Sequence, residues 1–180
     1  MELRHKKIPL EFLRRLPDGI KIVKRHGREF MVVEEILGPG GESLMSESVH
    51  IHGEPSIRLG VRIGEQQGLI FVDAFWGGHA KLYSFLPRTV ADDAEVDAFV
   101  PETGSSLMVD RRCDEKGCSC ARAIMLTLPD RKSRVYVCGR LGCPGHAIDI
   151  ADMPADVSRT ISSINFFGAG NRDEDWFEVF

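Results

Sequence analysis

No cysteine precedes position 113 or follows position 143 in this chain of 180 residues, and the total is five. An odd count gathered in one stretch fits poorly with a secreted disulfide framework, whose thiols pair throughout a small fold. Nor does any stretch approach the roughly 20 apolar residues of a membrane span. The opening MELRHKKIPLEFLRRL lacks the apolar run of a signal peptide. Together these predict a cytoplasmic protein with reduced thiols and no membrane association. Catalytic signatures are missing too: there is no Gly-x-Ser-x-Gly, no Walker-type phosphate loop, and no Gly-x-Gly-x-x-Gly after a strand. Internal repeats and low-complexity blocks are not evident.

What is present can build a core. At 43% hydrophobic residues, a chain of this length needs no disulfides to fold. Eighteen Gly and nine Pro divide it into short elements, and only 8% of residues are aromatic. The pattern predicts an α+β protein, mainly an antiparallel β-sheet domain with a small metal-binding hairpin and a C-terminal helix. Residues 1–100 read as a basic N-terminus and the sheet domain, 101–150 as the metal segment, and 151–180 as the helix and an acidic aromatic tail.

The net charge of −4 is unevenly spread. Residues 1–28 carry nine Lys or Arg against three acids, a balance of +6, leaving −10 for the rest. A basic end can contact nucleic acid, although the acidic body would repel phosphates.

Alternation places strands. IKIVKRHGREFMVVEEIL reads as a hairpin about His26-Gly27, and SIRLGVRI puts Ile57, Leu59, Val61 and Ile63 on one face with Arg58 and Arg62 on the other. LIFVDAFW follows as its hairpin partner, and AKLYSFLP and AEVDAFVP are further strands. Residues 38–48 read as a loop after the breaker GPGGES. AIMLTL and SRVYVC are strands joined by the turn PDRK. IPLEFLRRLP makes about two helical turns. DMPADVSRTISSI is a helix with Pro154 in its first turn and Val157, Ile161 and Ile164 on one side.

The cysteines flank the AIMLTL/SRVYVC hairpin as Cys113-x4-Cys118, then Cys120, then Cys138-x4-Cys143 with His146 beyond. With Leu128 opposite Ser133, paired residue numbers sum to 261, and both cysteine-bearing loops meet at the hairpin's open end. Thiolates are soft ligands that zinc prefers, and a structural zinc site takes four, or three and a histidine. The expected ligands are Cys113, Cys118, Cys138 and Cys143, with Cys120 and His146 as substitutes. An iron–sulfur cluster is the alternative, since Cys-x4-Cys-x-Cys lies near the plant-type ferredoxin spacing, which has two residues in the second gap.

GCPGH resembles a zinc knuckle ending in His. Upstream, VPETGSSL resembles the Cys-Pro-x-Cys-Gly-x-x-Leu knuckle of a zinc ribbon, with Val100 and Thr103 at the cysteine positions. The resemblance covers residues 98–150 and implies a zinc-ribbon or rubredoxin-like segment with a degenerate first knuckle.

Other features are weaker. HIHGEP sets His50 and His52 two residues apart, where Glu54, Asp73 or His79 could complete a metal site. The pair resembles the cupin His-x-His, but Glu54 follows too soon, and surface histidines beside a turn is the preferred reading. Trp76 and His79 in FWGGHAK cap a sheet or line a pocket. Trp176, Phe177 and Phe180, set among acids, read as a segment for a protein partner or for self-association. The function expected is a zinc-stabilised binding or accessory protein. A metal-dependent enzyme or iron–sulfur redox protein is the rival, and nucleic-acid binding the second.

Overall fold

A computed structural model describes residues 7–78, 80–85 and 94–164. The chain is an antiparallel α+β protein. Helix α1 (Leu10–Arg14) precedes β1 (Ile20–Arg25) and β2 (Arg28–Val33), which pair about the His26-Gly27 turn. Both turn residues have positive φ, 49° and 74°, as the tightest hairpin turns require.

Next come β3 (Met45–Ile51), β4 (Glu54–Ile63), β5 (Gln66–Val72) and β6 (Lys81–Tyr83), side by side in chain order. Strand β7 (Asp97–Phe99) joins β4. In β4 the expected face is buried: Ile57, Leu59, Val61 and Ile63 enter the core. Arg58 and Arg62 point outward and pair with Glu102 and Asp97.

A four-stranded sheet follows, in the order β11-β10-β9-β8. Its strands are β8 (Met108–Asp110), β9 (Arg122–Thr127), β10 (Arg134–Cys138) and β11 (His146–Asp149). The β9–β10 register matches the expected one, with Arg134 opposite Thr127 and Cys138 opposite Ala123. Asp130 holds the turn, accepting hydrogen bonds from the backbone of Lys132 (2.8 Å) and Ser133 (2.7 Å) and from Ser133 Oγ (2.6 Å).

Helix α2 (Ala155–Ser162) begins just after Pro154 and lies on β11, with Val157 and Ile161 buried. Trp76 Nε1 donates to Ile161 O at 3.1 Å, tying the helix to the loop after β5. One continuous core runs from Phe12 to Ile164 and takes residues from all three sheets and both helices.

Two expectations are corrected. Residues 45–48, read as loop, belong to β3, because Leu44 and Ser46 are buried and the strand finds a partner in β4. LIFVDAFW does not continue as a strand beyond Val72. Asp73 there is a buried carboxylate that accepts from Phe75 N (3.0 Å) and sits 2.8 Å from His52 Nδ1, so the chain turns away from the ladder. No helix among the described residues is long and apolar enough to cross a membrane. The tail segment Asn171–Phe180 and His79 lie outside the described residues.

Candidate metal centre

Two loops at the open end of the β9–β10 hairpin build the site. The first runs from Cys113, after β8, to Cys120, before β9; the second runs from Cys138, at the end of β10, to Gly145, before β11. They repeat one another at an offset of 25 residues. Cys113 N donates to Cys120 O (3.0 Å) and Cys138 N to Gly145 O (2.9 Å), closing each loop across seven residues. Inside them, Cys118 N donates to Glu115 O (3.0 Å) and Cys143 N to Arg140 O (3.2 Å).

The sulfurs follow the same repeat. Glu115 N donates to Cys113 Sγ (3.4 Å), Arg140 N to Cys138 Sγ (3.4 Å) and Gly145 N to Cys143 Sγ (3.3 Å). Cys118 Sγ receives the N–H of Cys120. Each of four sulfurs thus takes one N–H from the residue two positions on, an arrangement that stabilises a thiolate. The shared sequence Cys-x-x-x-Gly-Cys, in CDEKGC and CGRLGC, carries this repeat. It is a short internal repeat that sequence reading passed over, and the matching glycines, Gly117 and Gly142, were its signal.

All four Sγ atoms lie within 4.8 Å of one another. Cys113 and Cys143 are 3.6 Å apart, and Cys118 and Cys138 3.7 Å. A tetrahedral ion with bonds of about 2.3 Å to sulfur sets its ligands about 3.8 Å apart. The donor set therefore fits a single metal ion.

Environment separates the thiols. Burial pushes Cys113 up to about 11 and raises Cys138 as well. The Cys120 N–H pulls Cys118 down to about 7.

Neither proposed substitute joins the cluster. Cys120 is buried with its sulfur turned to Arg122 O (3.3 Å) and Glu95 Oε1 (3.8 Å). His146 has Nδ1 3.0 Å from Pro144 O and Nε2 3.1 Å from Ile164 O, with its ring edge-on to Trp76. Its ring nitrogens are occupied by backbone carbonyls. The VPETGSSL segment forms no part of the cluster either: Val100 is fully buried in the core, and its N–H donates to Ser105 O at 2.8 Å.

His50 and His52 diverge. His50 is exposed on β3 opposite Pro55, while His52 occupies the next turn with φ 54° and meets Asp73. Glu54 is drawn instead to Lys21 (2.7 Å) and Arg25 (3.6 Å). Among the described residues, only the four cysteines form a group of three or more close enough to hold a metal.

Lys81 was not foreseen. It comes from β6 on the five-stranded sheet, and its ammonium donates to Leu141 O (3.1 Å) in the middle of the second loop. No sequence pattern announces a contact between a strand of one sheet and a loop of another. Beside the first loop, a groove of about 580 Å³ is lined by Arg111, Tyr136 and Arg159 among others, with Arg111 stacked on Tyr136 at 4.2 Å.

The class defined by fold and site is an antiparallel α+β protein with a four-cysteine candidate metal centre. No protein family model, curated protein or solved structure matches the chain.

Proposed function

We propose that Cys113, Cys118, Cys138 and Cys143 hold one zinc ion in a zinc-ribbon-like site, and that the chain is a zinc-stabilised binding or accessory protein of a reducing, cytoplasmic compartment. The observation that carries this is the repeated loop, which delivers four sulfurs to one point and gives each a backbone N–H. Four protein ligands close a tetrahedral site and leave no position for substrate, which favours a structural ion over a catalytic one. Sulfurs 3.6 and 3.7 Å apart, all within 4.8 Å, suit one ion and are too close together to span an iron–sulfur cluster. The groove beside the centre, with its Arg111–Tyr136 stack, is the surface best suited to a partner.

Elemental analysis of purified protein tests the reading, with one zinc per chain expected. Cobalt substitution should give the absorption of a tetrahedral thiolate site. Protein with no metal and four freely reactive thiols, or brown protein containing several irons and acid-labile sulfide, would falsify it.

A further inference from the structure

Lys81, Cys138 and Cys143 line one small cavity of about 110 Å³, whose other walls are largely apolar and include Leu59, Ile70 and Trp76. The ammonium is partly buried, and among the described residues its hydrogen bond goes to the carbonyl of Leu141, midway between the two cysteines. Among the described residues no carboxylate pairs with it. Burial pushes the ammonium below its ordinary range, and the anionic forms of Cys143 and Cys138 pull it back up. An ammonium in such surroundings is costly unless an anion faces it.

Arg140 lines the same cavity, and the remaining cations near the thiols are placed differently. Arg111 pairs with Asp114, and Arg122 with Asp97. Arg112 and Lys116 are exposed to water, which screens them. Four thiolates around one divalent ion carry a net charge of −2, next to an apolar cavity that screens little.

We propose that Lys81 is the counter-cation of the metal centre and the latch that holds its second ligand loop, so that metal binding couples the four-stranded sheet to the five-stranded one. This rests on the metal reading above. Without metal, four thiolates are not gathered beside Lys81, and the burial of its ammonium is a cost. With metal, the ammonium faces the thiolates and the cost is offset. The loop it holds is also fixed from the β7 side, where Leu141 N donates to Ala94 O (2.8 Å) and Val96 N to Gly139 O (2.7 Å).

The test measures zinc affinity of the full chain by chelator competition, alongside thermal unfolding of the metal-free form. Outer-shell partners of metal ligands are worth roughly 10–100-fold in affinity, so Lys81→Met should weaken zinc by that factor. Lys81→Arg should restore most of it. Lys81→Gln, which keeps a donor for Leu141 O but no charge, should fall close to Lys81→Met. Metal-free Lys81→Met should melt no lower than the natural chain, because a buried charge has been removed. Equal zinc affinities in the natural chain and Lys81→Met would overturn the proposal, as would a Lys81→Met chain destabilised equally with and without metal. A natural chain that takes up no zinc at all would overturn the metal reading and this inference with it.

Discussion

Cys118 Sγ lies 3.7 Å from Cys138 Sγ, although twenty positions separate them and a hairpin turn lies between. The relationship is made by the β9–β10 ladder, which ends at Cys138 opposite Ala123 and delivers each loop to the other. A metal bound there reports on the folding of that hairpin. With free zinc at about 1,000 times Kd, binding adds roughly 4 kcal/mol to stability. In a domain of this size, that is on the order of 8–16 °C in melting temperature. Chelation should lower Tm by this amount, and Cys138→Ser should show the lower Tm whether or not zinc is supplied. Unchanged melting on chelation would show that the centre adds nothing to the fold.

Metal uptake should also release protons. Cys118, held down at about 7 by the Cys120 N–H, is largely thiolate at pH 8. Cys113, pushed up to about 11 by burial, and Cys138, raised by burial too, keep their protons in the metal-free chain. Zinc binding at pH 8 should therefore displace at least two protons, read by calorimetry in buffers of different ionisation enthalpy. Affinity should fall steeply on acidification. In the metal-free protein, Cys118 should alkylate well before Cys113 or Cys138.

Part of this was readable in the residues. The hairpin register came from one turn, PDRK, and two apolar runs, and it predicted the meeting of the loops. The buried face of β4 followed from strict alternation at Ile57, Leu59, Val61 and Ile63. Three features escaped for physical reasons. Strands β8 and β11 are three and four residues long, too short for alternation to register. Strand β3 carries Ser46, Glu47 and Ser48, a polar run whose strand conformation is imposed by pairing with β4. Lys81 reaches the centre across a sheet-to-sheet contact, and only the tertiary fold defines that contact.

Asp130 makes the turn on which this geometry depends, and its carboxyl carries a signature in pH. Partial burial pushes it up, but the hydrogen bonds from Ser133 Oγ, Ser133 N and Lys132 N, with the charge of Arg134, outweigh burial and leave it below the ordinary carboxylate value. A lowered folded value means that the stabilisation is complete above the unfolded value of about 3.9 and is lost as pH falls through the folded one. Asp130→Ala should cost about 1–2 kcal/mol at pH 7, comparable to losing a helix cap. Its deficit relative to the natural chain should shrink below pH 4. A deficit independent of pH would assign the loss to something other than the ionised carboxylate.

The two histidines should part company on mutation. His50 is exposed on β3, so His50→Ala should change stability by less than about 0.5 kcal/mol. Asp73, with its side chain fully buried, serves both His52 Nδ1 and Phe75 N. Asp73→Ala removes both hydrogen bonds and should cost roughly 1–3 kcal/mol in denaturant unfolding. Metal content should stay at one zinc in both variants. A drop in zinc on changing His50 or Asp73 would mean that this end of the molecule has a metal site of its own.

Gly145 gives the sharpest test of the centre, because changing it removes no ligand. It is buried, its N–H donates to Cys143 Sγ at 3.3 Å, and its carbonyl accepts from Cys138 N at 2.9 Å. A Cβ built at this position would sit 2.5 Å from Cys113 Sγ and 3.3 Å from Cys143 Sγ. The side chain of alanine would therefore enter the space where the two loops bring their sulfurs together. Something must yield, and the sulfurs are the nearest atoms. Gly145→Ala should keep all five thiols and the secondary structure, yet bind zinc at least about 10-fold more weakly, as a misplaced ligand set should. Gly117→Ala, at a position where a Cβ meets nothing within 4 Å but φ is 83°, strains the first loop without touching sulfur. It should cost about 1 kcal/mol of stability and leave the cobalt spectrum unchanged. Natural zinc affinity in Gly145→Ala would show that a methyl group fits beside Cys113 and Cys143 without displacing the ligands, and that the close approach of Gly145 to the sulfurs does not govern metal binding.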